Sequence, residues 1–195
     1  MNTRSLLLLL LLIPALLLPG CGYNRIQQNE EAVFSAWADV EATYQRRADL
    51  IPNLVETVKA YAAHEKETLE NVTAARAKVG QTTLSAQALS DPQALENFQQ
   101  AQGGLSSALS RLLVVAERYP DLKASANFRD LQHQLEGTEN RINVARQRYN
   151  QAVQTFNGSI RTFPGNLTNK FLLKLERKEP FKAQAGAEVA PKVQF

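Results

Sequence analysis

Apolar side chains recur at alternating spacings of three and four residues along most of this chain, and this period constrains the fold more than any other feature. The longest unbroken pattern runs from Ala124 to about Ile160. Its members are Phe128, Leu131, Leu135, Thr138, Ile142, Ala145, Tyr149, Ala152 and Phe156. Such spacing places all of them on one face of an α-helix, so the pattern predicts a long helix that forms one wall of the core.

Two earlier helices are predicted on either side of Pro52. The second should run from about Leu50 to Val79, with Gly80 just past its end. Proline lacks an amide proton and disfavours helix at the preceding residue, yet the seven-residue phase continues across Pro52. Periodicity alone therefore leaves a kink and a tight turn both open. The first helix is marked by Val33, Trp37, Val40 and Tyr44.

Charged residues gather beside this proline. Arg46 and Arg47 precede Asp49, which is a good N-cap for a helix that has Pro52 in its first turn. The three charged residues are a candidate binding site for an anionic group. An arginine pair beside a capping acid more often fixes a helix junction, and we favour that structural interpretation.

A third helix is predicted between two prolines. Ser90-Asp91-Pro92 is a start signal and Tyr119-Pro120 a stop signal. The polar segment Gln81–Ser90 before it is expected to be the most flexible loop of the body. Gly103 and Gly104 inside the helix favour a close approach by a neighbouring helix, since glycine in a helix otherwise costs stability.

Two glutamates, Glu136 and Glu139, flank the small pair Gly137-Thr138 in the last predicted helix. Small residues let a neighbouring backbone approach, and the carboxylates are placed to pair with Arg141 or Arg46. We interpret this group as structural rather than catalytic. The candidate partner or ligand surface therefore comprises Arg46, Arg47, Asp49, Glu136, Glu139 and Arg141.

Residues 1–20 have the composition of a cleaved export signal. Arg4 supplies the positive start, and Leu6–Leu18 is almost pure leucine, interrupted by Pro14. A membrane-spanning helix needs about 20 apolar residues, so a transmembrane segment is the second choice. Leu18-Pro19-Gly20-Cys21 resembles the lipobox of bacterial lipoproteins, which implies cleavage before Cys21 and acylation of that residue, as by diacylglycerol and palmitate.

Acylated Cys21 would hold the protein permanently in a membrane through its lipid chains. Residues 21–28 are then expected to form a short polar tether, at most ~26 Å long when fully extended. The helical body, 29–165, should stay close to the bilayer and face the periplasm or extracytoplasmic space. Neither the inner nor the outer membrane is favoured by these residues.

Charge and residue types exclude several classes of function. The formal charge is +3, with basic residues interleaved among acids, which is not the pattern of a nucleic-acid-binding protein. One cysteine allows no intramolecular disulfide. The two histidines, His64 and His133, have no second histidine or cysteine at metal-ligand spacing. We expect no metal, no cofactor and no enzymatic activity.

Several ordered motifs resemble the LemA family of bacterial envelope proteins. They are RRADLIPNLVETVKAYAAHE, ERYPDLKASANF, LEGTENRINVARQRYNQAVQTFN, RTFPGN and the terminal EVAPKVQF. The resemblance implies an all-α, antiparallel four-helix up-and-down bundle and favours a helix junction at Pro52. It carries no catalytic residue onto this chain, and it suggests a membrane protein of the TPM-domain type as a partner.

The function favoured by these features is a membrane-anchored, non-enzymatic interaction or scaffold module; the alternative is a bundle that binds a small ligand or ion. The C-terminal extension, 166–195, ends in a segment, Glu179–Phe195, without helical period, which should be extended. This tail is expected either to pack along the bundle or to be presented to a partner. We favour the second, which predicts that deleting Pro180–Phe195 leaves stability nearly unchanged.

Overall fold

The computed structural model describes the backbone of residues 3–182 and the side chains of residues 22–182. Within residues 3–182, every element of regular secondary structure is a helix. The predicted all-α class is thereby confirmed. A 3-10 turn, Ala86–Ser90, precedes the third long helix, and a π-helical turn, Asn169–Leu173, ends the helical part. The α-helices are α1 (Thr3–Tyr61), α2 (Lys66–Gln81), α3 (Pro92–Ala116), α4 (Pro120–Ala124), α5 (Ala126–Ser159) and α6 (Gly165–Thr168).

Helices α1 and α5 pack along each other in opposite directions. Arg47, in the second half of α1, forms an ion pair with Glu139 of α5. Ile26, near the start of the packed part of α1, lies beside Gly165, which follows the end of α5. A residue early in the packed part of α1 thus lies near the end of α5, and a later residue of α1 contacts the middle of α5, so the two helices are antiparallel.

Helix α3 runs parallel to α1 on another side of it. The rings of Tyr44 and Phe98 are 5.3 Å apart, and about one helical turn further along both helices Arg47 contacts Gln102. Helix α2 joins the end of α1 to the start of α3, so it runs opposite to both. These directions place the ends of α1 and α3 at one end of the molecule and the end of α5 at the other.

Pro52 lies inside α1, so the predicted helix junction at this residue is wrong. The pyrrolidine ring is exposed and therefore does not clash with the packed face of the helix. Proline leaves the carbonyl four residues earlier without its intrahelical donor, here that of Ala48. Arg76 Nε of α2 donates a hydrogen bond to this oxygen at 2.9 Å. A tertiary contact thus replaces the lost helical bond, and the helix continues to Tyr61.

The boundaries predicted around this region are corrected accordingly. Asp49 is a mid-helix residue and not an N-cap, and no helix begins at Leu50. The true connection is the short segment 62–65, and α2 starts at Lys66. Helix α2 includes Gly80 and is capped by Thr82, so Gly80 does not terminate it.

Residues 22–28 belong to α1, which corrects the predicted extended tether. Gly22 and Ile26 are buried because α6 packs over them. A Cβ added to Gly22 would lie 3.0 Å from Thr168 Oγ1 and 3.5 Å from the Gly165 Cα. The packed body therefore includes Gly22, and the boundary predicted at residue 29 lies too far toward the C-terminus.

The segment 81–90 is packed, although its polar composition predicted the most flexible loop. Leu84 and Leu89 are both buried. Trp37 Nε1 donates a hydrogen bond to the Leu84 carbonyl oxygen at 3.2 Å. Both leucines belong to the same buried cluster as Trp37, so the loop packs on the body although it is rich in Ser, Thr and Gln.

The start of α3 is as predicted, with the Asp91 side chain accepting a hydrogen bond from the Gln93 amide at 2.9 Å. The close helix approaches predicted at Gly104 and Gly137 are wrong, while the one predicted at Gly103 stays a prediction. Apart from its sequence neighbours and its own helix backbone, no heavy atom of the described residues lies within 4 Å of the Cβ position of Gly104 or Gly137. Both glycines face open space, so neither is required by a neighbouring backbone.

The chain turns back after the π-helical turn and runs along α5 as an extended C-terminal strap, residues 175–182. Three asparagine side chains hold it, each donating to a strap carbonyl and accepting from the amide of the same residue. These pairs are Asn169 with Leu175, Asn157 with Lys178 and Asn150 with Phe181, with distances of 2.8–3.1 Å.

The distance between two of these asparagines along α5 matches the distance between their partners along the extended strap. Asn150 and Asn157 are seven residues apart on α5, about 10 Å along the helix axis. Their partners Lys178 and Phe181 are three residues apart, also about 10 Å in an extended chain. The first part of the predicted free tail, residues 179–182, is thus packed; residues 183–195 lie outside the described part of the chain.

Candidate functional site

Two apolar cores fill the space between the long helices. The first core is rich in aromatic rings and includes Trp37, Tyr44, Phe98, Tyr149 and Phe181. The second core is mainly aliphatic and includes Leu54, Val58, Leu105, Leu109 and Leu135. A polar layer separates them, formed by Arg47, Gln102, Thr138 and Glu139.

Arg47 is the centre of the polar layer and is only 1% exposed. Its Nη1 donates to Glu139 Oε1 at 2.5 Å and to Ser106 Oγ at 2.9 Å. Its Nη2 donates to Gln102 Oε1 at 2.6 Å and to the Gln102 carbonyl at 3.3 Å. One guanidinium thereby links α1 to α3 and to α5.

This arginine is incompletely satisfied. Its Nε is buried and has no hydrogen-bond partner among the described residues. Glu139, its one charged partner in the part of the chain that the structure describes, has a side chain that is 43% exposed, so the pair is buried on one side only. Burying an arginine costs free energy that such a pair only partly offsets. The pair is therefore weak evidence of a net gain in stability, although removing only one of its members would leave buried polar groups without partners and destabilise the fold.

A small polar cavity of about 190 Å³ opens next to the layer. Arg146 of α5 adds a second guanidinium to Arg47, against the single carboxylate of Glu139. The charge balance of the cavity is therefore positive. Its lining residues are Tyr44, Arg47, Gln99, Gln102, Gly103, Ser106, Glu139, Asn143 and Arg146.

Tyr44 gives this cavity a neutral hydroxyl. Burial raises the pKa of Tyr44 above its usual value, and the nearby Arg146 and Arg47 only partly oppose that shift. The phenol therefore stays protonated at neutral pH, where it can donate or accept a hydrogen bond. This hydroxyl and the two guanidinium groups can donate hydrogen bonds to an acceptor in the cavity.

Similarity to known proteins decides the family. The family model of LemA matches residues 36–195, which is most of the chain. The chain belongs to the LemA family. No match is found among the curated proteins.

The structure divides the surface residues predicted in this LemA chain into two groups. Arg47 and Glu139 meet in the polar layer, although the sequence interpretation paired the glutamates with Arg141 or Arg46 instead. The other four lie outside the layer. Arg46, Asp49, Glu136 and Arg141 are all exposed.

The exposed members make only local contacts within the described residues. Asp49 accepts a hydrogen bond from Gln45 Nε2 at 2.7 Å, one helical turn away. Glu136 accepts one from Gln132 Nε2 at 3.1 Å and lies 3.8 Å from His133. In each contact the two residues are three or four positions apart on the same helix, so they are neighbours on its surface. None of these contacts reaches the polar layer, and these residues form no convergent site with it.

The surface predicted from the sequence did not include Tyr44, Gln102 or Arg146, which line the polar cavity. A signal for the layer is nevertheless present in the sequence. Arg47 occupies the same seven-residue phase as Val40 and Leu54, so it is a polar residue at a core position. Gln102 and Thr138 occupy equivalent positions on α3 and α5. Three polar residues at core positions of three helices indicate a buried polar layer.

The described residues also place both histidines of this LemA chain. His64 lies in the connection after α1, and His133 lies on α5; both are exposed. No group of three or more metal-ligating side chains occurs in the part of the chain that the structure describes. Within residues 22–182, no helix is both long and apolar enough to span a bilayer.

Proposed function

We propose that this LemA protein is a lipoprotein of the bacterial cell envelope, anchored by acylated Cys21 and acting as a non-enzymatic interaction module. The observation that supports it best is the position of the lipobox-like motif. Leu18-Pro19-Gly20-Cys21 comes directly before Gly22, which is already buried against α6. Cleavage before Cys21 would remove residues 1–20 and leave the packed body intact, with its anchor at the body's edge.

The body carried by this anchor is, in our proposal, an antiparallel four-helix bundle made of α1, α2, α3 and α5. The alternating directions of these helices support it, as does the pairing of α1 with α5. An anchor at the start of α1 would place the end of α5 near the membrane too. The opposite end would then project about 50 Å away, at 1.5 Å per residue between Ile26 and Val58. A bundle held this way presents its long faces to proteins in the extracytoplasmic space.

Labelling with radioactive palmitate tests the anchor. The change is Cys21→Ser, which should abolish label incorporation and leave an unprocessed precursor with residues 1–20 attached. The control is Asn24→Ser, an exposed position three residues later, which should be labelled and cleaved like the wild type. Normal cleavage of Cys21→Ser, or label that persists in it, would contradict lipidation at this residue.

Capture of partners tests the interaction module. The exposed charges Arg46 and Arg141 lie on the two helices that meet at the polar layer, α1 and α5. Charge reversal of both to glutamate should weaken recovery of a membrane partner, such as one of the TPM-domain type, while leaving thermal stability unchanged. The matched control reverses Arg111 and Arg129, which are also exposed. Equal recovery from both double variants would exclude this surface.

A second candidate function is binding of a small anion, which the polar cavity supports. Its two guanidinium groups and a neutral Tyr44 hydroxyl are donors for a carboxylate or phosphate oxygen, and Arg47 Nε has no other partner among the described residues. Calorimetric titration with acetate and with inorganic phosphate tests it. Binding should be lost in Arg146→Gln and kept in Arg148→Gln, which changes an exposed arginine two residues away. If Arg146→Gln leaves the heat of binding unchanged, any anion that binds does not occupy the polar cavity.

A further inference from the structure

Four large apolar side chains are exposed within residues 163–172, the segment that contains α6, and we call them the apolar patch. Phe163 is 72% exposed and Phe171 is 69% exposed, which is unusual for phenylalanine in a folded domain. The opposite side of the same short helix is packed, since Gly165 and Thr168 are buried against α1. The patch consists of Phe163, Leu167, Phe171 and Leu172.

The patch lies at the end of the molecule from which the apolar N-terminal segment leaves. Helix α1 is continuous from Thr3 to Tyr61. Gly22 of this helix contacts Thr168, whose neighbour Leu167 belongs to the patch. The apolar run Leu6–Leu18 lies just before Gly22 in the same helix. Whatever membrane holds that run or an acylated Cys21 would therefore be close to the patch.

Positive charge is concentrated around the same residues. Segment 161–177 has four basic residues and one acidic residue, a net charge of +3, which equals the formal charge of the whole chain. The Lys170 ammonium lies 5.6 Å from the centre of the Phe171 ring, so charge and apolar surface are adjacent. The charged residues are Arg161, Lys170, Lys174, Glu176 and Arg177, all exposed.

From this juxtaposition we infer that the apolar patch and its basic residues form a second membrane-binding site, which docks α6 on the surface of an anionic bilayer. Phe171 and Leu167 enter the boundary between headgroups and acyl chains, and Lys170 and Lys174 stay among the anionic headgroups. The inference rests on the proposed membrane location but not on acylation of Cys21. Two-point attachment would fix the tilt of the body on the membrane, which a single flexible anchor does not.

Tryptophan fluorescence tests the inference in the full-length protein, reconstituted in vesicles of phosphatidylethanolamine and phosphatidylglycerol that contain bromine-labelled acyl chains. Phe171→Trp places a reporter in the patch. Val114→Trp is the matched control, because Val114 is 68% exposed and lies near the end of α3, at the opposite end of the molecule. The one natural tryptophan, Trp37, is buried in the first core and supplies a constant background.

Bromine quenches only fluorophores that reach the acyl chains. We expect Phe171→Trp to lose at least half of its added fluorescence, and Val114→Trp and the wild-type protein to be unchanged. No quenching of Phe171→Trp in protein that floats with the vesicles would overturn the inference and leave the anchor proposal standing. An emission shifted to shorter wavelength without quenching would also overturn it, since a protein surface would then cover the patch.

The basic residues provide a second, independent readout. Replacing both Lys170 and Lys174 by glutamine should reduce quenching of Phe171→Trp in anionic vesicles, with each charge worth roughly a fivefold change in the docking equilibrium at low salt. Replacing Lys66 and Lys78 of α2, both exposed, is the matched control and should have no effect. Quenching of equal depth in vesicles of phosphatidylcholine alone would refute the role assigned to charge. Loss of Cys21 acylation does not alter either readout as long as the chain remains on the vesicle.

Discussion

Phe181 should be one of the most important residues for the stability of this protein, although it lies in the segment whose deletion was predicted to be harmless. Its ring is 6% exposed and inserts into the first core. Its centre lies 5.3 Å from that of Tyr149, 5.9 Å from that of Trp37 and 6.5 Å from that of Phe98. The Arg146 guanidinium covers it at 4.8 Å.

The size of the effect follows from these contacts. Truncating a buried phenylalanine to alanine typically costs about 3–5 kcal/mol, because apolar contact is lost and a cavity remains. For a domain of this size, 1 kcal/mol corresponds to about 2–4 °C in Tm. Phe181→Ala should therefore lower the Tm by about 6–20 °C. The Asn150 bonds to the Phe181 backbone are kept in this variant, so the change measures the ring itself.

Thermal and urea unfolding, followed by far-ultraviolet circular dichroism, measure the effect. Phe171→Ala is the control because it removes the same atoms from a ring that is 69% exposed; its free energy of unfolding should change little. Deleting 183–195 should likewise cost much less stability than deleting 180–195. If Phe181→Ala and Phe171→Ala unfold at the same temperature, the strap is not part of the core and this reasoning fails.

Three further predictions concern the helices themselves. Arg47→Ala should destabilise by about 2–5 kcal/mol, because it removes buried hydrogen bonds and packing, whereas Arg46→Ala, at an exposed position, should stay within about 0.5 kcal/mol in urea unfolding. Leu135→Ala should cost about 2–5 kcal/mol and Gln134→Ala little; equal Tm values would refute the assignment of the helix face. Burial, and then the nearby Glu179 carboxylate, raise the pKa of Tyr149, so its neutral form is favoured in the folded protein. The stability that this neutral phenol contributes is fully present below the pKa of tyrosine in the unfolded chain, near 10, and is lost as the pH rises above that value. The free energy of unfolding should therefore fall less steeply with alkaline pH in Tyr149→Phe than in the wild type. Identical curves of stability against pH would contradict this prediction.

Features that depend on local periodicity could be predicted from the amino-acid sequence. The face of α5 that packs inward was predicted from spacing, and eight of its nine members are buried. The start of α3 at Asp91-Pro92 was predicted from its cap. These features are local, because a helix repeats every 3.6 residues and its caps bind the nearest free amides. Tyr61, in contrast, keeps the apolar phase but is exposed, since α1 ends there.

Hydrogen bonds between polar groups far apart in the sequence could be identified only in the folded structure. Helix α1 continues through Pro52, where Arg76 of α2 donates a hydrogen bond to the Ala48 carbonyl oxygen that proline leaves without a donor. Local sequence patterns do not predict a partner that lies on another helix. The partner of Glu139 is Arg47, 92 residues away, and not a neighbour on its own helix. The C-terminal strap has no helical period, and it packs because asparagines on α5 match the spacing of its backbone groups. Hydrogen bonds between distant residues depend on how the helices are arranged, and that arrangement exists only once the chain has folded.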